Sequence, residues 1–136
     1  MKMKSSVGAS KVYQTDFDPG QGNALQAAVA SIFTLPLDVV PNFIELACGY
    51  EDGIQSFCKD RNVECTKISL NEASKDLLLR EEGKLCILRG KSPRGNFGHV
   101  IIARILNCGF EMVHDVHPDQ DFLDRQEPYG WCMVFH

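Results

Sequence analysis

Midway along the chain the spacing of apolar residues switches from helical to strand-like, and this switch restricts the fold class more than any other feature. Before Gly83, Ile54, Phe57, Cys58 and Arg61 stand at i, i+3, i+4 and i+7, which predicts a helix that stops at Asn62. After it, residues 85–88, 99–106, 111–116 and Trp131–Phe135 are short apolar or alternating runs bounded by Gly, Pro, Asn and Asp, so each reads as a strand. Helices first and strands second give an α+β chain with an antiparallel sheet built mainly by the second half.

With 136 residues, we expect one core: a flexible lead over residues 1–10 and a single domain over 11–136. Apolar types supply 44% and charged types 24%, which excludes a disordered or fibrous chain. Fourteen basic against eighteen acidic residues leave a net charge of −4 with no Lys/Arg cluster, so no nucleic-acid partner is expected. No run approaches the roughly 18 apolar residues of a membrane span, and Met1-Lys2-Met3-Lys4 is followed by no apolar segment of a leader. The expectation is a cytoplasmic protein without a membrane partner. Its six cysteines, Cys48, Cys58, Cys65, Cys86, Cys108 and Cys132, show no C-x-x-C spacing and read as reduced thiols.

Along the chain, residues 12–15 suit a short strand, and residues 16–22 carry Asp-Pro-Gly and Gly-x-Gly breaks. Asn23 with Gln26 reads as a capping box opening a helix over Ala24–Phe33. Its stripe of Ala24, Ala27, Ala28 and Ser31 permits close approach of another element. Residues 35–41 form a proline-bounded connector and residues 63–68 a strand. Ser69 with Glu72 reads as a second capping box, opening a helix that ends near Gly83. Asn107-Cys108-Gly109 predicts a hairpin. The stretch 118–130 reads as a solvated connector.

A hairpin centred near Cys108 places position 99 opposite 115–117, with odd-numbered residues of both strands on one face. His99 and Asp115 then become neighbours. An imidazole held by a carboxylate is the base-plus-orienter half of a nucleophilic triad. The missing part is a thiol or hydroxyl at a helix N-terminus, where the helix end favours an anion.

The stretch Gly22-Asn23-Ala24-Leu25-Gln26-Ala27-Ala28-Val29-Ala30-Ser31 followed by Leu35-Pro36-Leu37-Asp38-Val39-Val40-Pro41, together with Ser92-Pro93-Arg94-Gly95, Gly98-His99-Val100 and Val113-His114-Asp115-Val116-His117-Pro118, resembles small bacterial and phage papain-like cysteine peptidase-type proteins. The resemblance spans residues 12–135 and implies a papain-like fold. In that family the helix opens Gly-Asn-Cys, so the nucleophile position here is Ala24, whose methyl group cannot attack a carbonyl. His99 is then the general base and Asp115 its orienter. Gln14 matches an upstream glutamine that donates to the oxyanion, with Gln21 the competing candidate, and the backbone N–H at position 24 supplies a second donor. Asn23 and Arg94 are the candidate substrate contacts.

Two readings of Ala24 follow. In one, the chain is a cysteine peptidase or amidase whose nucleophile has been replaced, by a deliberate Cys-to-Ala substitution or by natural loss. In the other it is a pseudo-enzyme that binds a peptide or protein without cutting it. A third reading is a metal-dependent hydrolase using His99, His114, Asp115, His117 and Asp119, but His114 and His117 point to opposite faces of a strand, so no metal and no cofactor are expected.

Overall fold

The computed structural model describes residues 10–18, 22–124 and 129–136. The expected lead, apart from Ser10, and Gln21 lie outside these residues. Helix α1 (Ala24–Phe33) is followed by two 3-10 turns, Leu37–Val39 and Phe43–Glu45, and by α2 (Tyr50–Lys59). Strand β1 (Cys65–Ser69), a 3-10 turn running into α3 (Lys75–Arg80), and strands β2 (Leu85–Lys91), β3 (Gly98–Leu106), β4 (Gly109–Asp115) and β5 (Trp131–Phe135) complete the order. The chain is α+β, with one antiparallel five-stranded sheet in the order β1-β5-β2-β3-β4.

Both faces of the sheet are covered at its centre, which is why β2, β3 and β5 read as nearly continuous apolar runs while the edge strands β1 and β4 carry polar residues. On one face Ile87, Val100, Ile102 and Met133 pack against Ala27, Ala28, Val29 and Ile32 of α1 and against Ile54 and Phe57 of α2. Small side chains on α1 let it lie close to the sheet, and its residues 25, 27–30, 32 and 33 are all buried. On the other face Ile101, Ala103, Ile105, Cys86, Leu88 and Val134 meet Leu78 of α3, Leu123 and Tyr129. Each such fully buried Ile, Val or Phe contributes roughly 1.5–3 kcal/mol of transfer free energy.

Several local expectations are corrected by tertiary contacts. Residues 12–15 form no strand. Gln14 N donates to Val116 O at 2.9 Å, but Val12 N donates to Ser31 Oγ and Val12 O accepts from His114 Nε2, so side chains replace a ladder. Asn23 and Gln26 form no capping box: Asn23 Oδ1 accepts from Thr15 N and Asp16 N, while Gln26 Nε2 donates to Leu37 O and Val40 O. The second capping box is built by Asn71 and Ser74, two residues beyond the Ser69–Glu72 pair expected, because Ser69 is still paired to Trp131 in β1. Asn62 does end the α2 region, at φ 56°.

The hairpin forms where expected, with Leu106 opposite Gly109, so that two residues make the turn. From that turn an undisturbed ladder would oppose odd to even positions. A bulge at Val113 inserts one residue: Ala103 faces Met112, whereas Ile102 faces His114 and Ile101 faces Asp115. The bulge restores the odd–odd register on which the pairing of His99 with Asp115 depends. No single helix among the described residues is long and apolar enough to cross a membrane.

Candidate functional site

His99 and Asp115 occupy diagonal positions on neighbouring strands, and His99 Nε2 lies 2.7 Å from Asp115 Oδ1. Both are buried, the aspartate fully. Asp115 Oδ1 also accepts the N–H of His117 at 3.0 Å, and Oδ2 accepts the N–H of Phe122 at 2.8 Å. Burial raises the carboxyl pKa, but the bond from His99, the N–H groups of His117 and Phe122 and the electrostatic influence of the His99 ring together hold it below the ordinary aspartate value. An ionised carboxylate only accepts, so Nε2 of His99 carries a proton and donates it. The ring's other nitrogen, Nδ1, has no hydrogen-bond partner among the described residues.

The segment after β4 fixes this arrangement. Gln120 Nε2 donates to Asp115 O at 2.7 Å and to His117 O at 3.0 Å, Leu123 is buried under the sheet, and Arg94 Nη1 donates to Asp119 at 3.0 Å while lying 3.9 Å from Asp115 Oδ2. The first part of the 118–130 stretch is therefore more than a connector, because it clamps the carboxylate. Residues 125–128 lie outside the described residues.

At the other wall of the site, the loop before α1 is folded onto the helix start. Asn23 is buried, and its amide is consumed by Thr15 and Asp16, with Nδ2 donating to Thr15 Oγ1 at 3.0 Å. Gly22 N donates to Asp18 O at 2.7 Å, and a Cβ on Gly22 would stand 2.6 Å from that oxygen, so only glycine allows this approach. Because Asn23 serves the loop, no side chain caps α1, and the N–H groups of Ala24, Leu25 and Gln26 have no partner among the described residues. Uncapped N–H groups at a helix start favour an anion.

A cleft of about 550 Å³ brings these parts together: Gln14, Gly22, Ala24, Leu25, His99 and His117 line it, with Phe17, Tyr50, Phe97 and Trp131 supplying aromatic walls. Gln14 is buried and donates one Nε2 hydrogen to Asp16 O at 2.9 Å, while its Oε1 is buried without a partner. An amide nitrogen has two hydrogens, so one donor of Gln14 remains for a ligand. Of the residues expected at the site, Gln14, Ala24, His99 and Arg94 line one cleft; Asp115 stands behind His99, and Asn23 is turned away into the loop. Arg94 reaches the cleft with its guanidinium already paired to Asp119.

No family model, curated protein or solved structure matches this chain.

Among the described residues no group of three or more His, Cys, Asp or Glu side chains is placed to hold a metal ion. His114 is separated from His99 and His117: its Nε2 donates to Val12 O at 2.9 Å and its ring packs edge-on against Tyr13. All six cysteines are unbridged, with Cys48 and Cys108 exposed and the other four buried, and none lines the cleft. Sequence reasoning did not single out Arg89, Tyr50, Phe97 or Trp131. Their only sequence signal is position, since Arg89 ends the apolar run of β2 and Phe97-Gly98 immediately precedes His99.

Proposed function

We propose that this cleft is the active site of a papain-like cysteine hydrolase acting on a peptide or another amide, with position 24 the nucleophile position, and that the Ala24 chain binds its ligand without turning it over. The observation that carries the reading is the convergence of Ala24, Gln14 and a carboxylate-held His99 on one cleft. With a cysteine at position 24, His99 Nδ1 takes the thiol proton and the sulfur attacks the carbonyl carbon. The oxyanion meets the backbone N–H at position 24 and the remaining N–H of Gln14. His99 then protonates the leaving amine, and water, deprotonated by the same ring, hydrolyses the thioester. This sequence uses no metal or cofactor, and it suits a cytoplasmic protein with reduced cysteines.

The direct test is Ala24→Cys followed by iodoacetamide at neutral pH. Position 24 should alkylate faster than exposed Cys48 and Cys108, and His99→Ala should remove the advantage. Labelling no faster than at those two cysteines would overturn the reading. The second reading, a natural binding module, is favoured by the methyl group standing beside an otherwise complete His99–Asp115 pair. A gene that encodes Ala at position 24, together with no amide hydrolysis by Ala24→Cys, would establish it over the first.

A further inference from the structure

Among the described residues, one of the two arginines lining the cleft is in no ion pair. Arg89 lines the cleft with His99 and Trp131, and in register it lies opposite Val100 of β3 and Trp131 of β5. Among the described residues its guanidinium has no hydrogen-bonded or ion-paired partner, while its backbone carbonyl accepts from Gly130 N at 2.9 Å. Other cations contrast with it: Arg94 is paired with Asp119, Lys91 with Asp124, Lys67 with Glu51 and Arg104 with Glu111. The guanidinium of Arg89 is nevertheless placed. It lies against the backbone of Gly98, where a Cβ would stand 2.1 Å from Nη2, 2.5 Å from Cζ and 2.6 Å from Nε. Glycine at position 98 is what allows the guanidinium to lie against this backbone, one residue before His99.

We infer that Arg89 is the specificity residue of this cleft and that the ligand it selects carries a carboxylate close to the amide presented to position 24. This rests on the cleft being a substrate site, as proposed above. Arg89 is exposed, so its guanidinium is open to an incoming ligand, and its planar fork matches a carboxylate with two parallel bonds, which discriminates an acid from its amide isostere. A monoanion fits better than a phosphate dianion, because Arg94, the other arginine lining the cleft, is already neutralised by Asp119. Phe97 and Trp131 beside the fork supply apolar walls for the ligand's backbone and small side chains.

The test uses the Ala24 protein, which binds without turnover, and its single tryptophan, Trp131, as a fluorescence reporter inside the cleft. The probes are acetylated alanine tetrapeptide amides with one Glu, or its isostere Gln, at each position in turn, and the all-alanine peptide with a free or an amidated C-terminus. At least one acid should bind about tenfold tighter than its amide partner, with the difference shrinking as salt is raised. A side-chain acid and a C-terminal carboxylate are told apart by which arm responds. Arg89→Gln should erase the preference and Arg89→Lys retain part of it. Gly98→Ala, which keeps the cation but displaces its fork, should weaken it. Equal binding of acids and amides at every position, or a preference that survives Arg89→Gln, overturns the inference. An acid preference beside an unreactive Ala24→Cys chain would sink the hydrolase reading and leave the carboxylate site standing; a reactive chain without acid preference would do the reverse.

Discussion

The N–H of Phe122 donates to Oδ2 of Asp115 at 2.8 Å, closing the side of the carboxylate that His99 does not reach. One aspartate thus joins strand β4, the catalytic candidate on β3 and the loop that follows. Asp115→Asn puts an NH2 where an acceptor is required by His99, His117 or Phe122. We expect a loss of about 2–4 kcal/mol at pH 7, read by denaturant unfolding.

The same carboxyl gives a pH signature. Its folded pKa lies below the unfolded value, so its stabilisation is complete above the unfolded pKa of about 3.9 and is lost as pH falls through the folded one. Acid unfolding of the parent chain should therefore steepen below about pH 4, and Asp115→Asn should flatten that part of the curve. Parallel curves for the two proteins would show that the aspartate is not held as described.

Gln14 is expected to act on the rate rather than on binding. In an Ala24→Cys background, Gln14→Ala should lower kcat by about 10²–10³-fold with KM little changed, the cost of one oxyanion donor. Steady-state kinetics on an amide substrate decide this, and an unchanged kcat would leave Gln14 a structural residue that only holds Asp16 O.

Ser31 ties the chain ahead of the cleft to α1, accepting from Val12 N at 3.2 Å and donating to Ala27 O at 2.9 Å. Ser31→Ala should cost about 1–3 kcal/mol by leaving Val12 N unsatisfied. Amide exchange should accelerate at Val12 and Gln14 before it does in the sheet, and uniform acceleration would refute a local anchor.

The cysteines should separate into two classes toward a thiol reagent in the native state. Cys48 and Cys108 are exposed and should react promptly, whereas Cys58, Cys65, Cys86 and Cys132 should wait for unfolding. The Cys65 thiol is pushed up by its hydrogen bond with Cys58, by burial and by nearby negative charge, and Cys86 is pushed up by Cys132 and by burial. Cys58 is lowered by its bond from Cys65, against its burial and with help from Arg61, but no reagent reaches it. Mass spectrometry of partially labelled protein checks the assignment.

The residues themselves determined the helix–strand division, the span Ala24–Phe33, the strand Trp131–Phe135 and the hairpin that brings the strands of His99 and Asp115 side by side, because period and turn chemistry are local properties. The meeting of His99 with Asp115 depended on a bulge at Val113 that no local signal announced, since a bulge is chosen by how two strands must bury their faces together. Where side-chain amides go was not legible either: Asn23 and Gln26 have the types and spacing of a capping box, yet each finds partners far along the chain that only packing brings near. Arg89 looked like any charged residue ending a strand. Only the tertiary structure laid its guanidinium on Gly98 in the cleft that His99 also lines, because charge placement follows from the strand pairing and not from the run of residues that carries it.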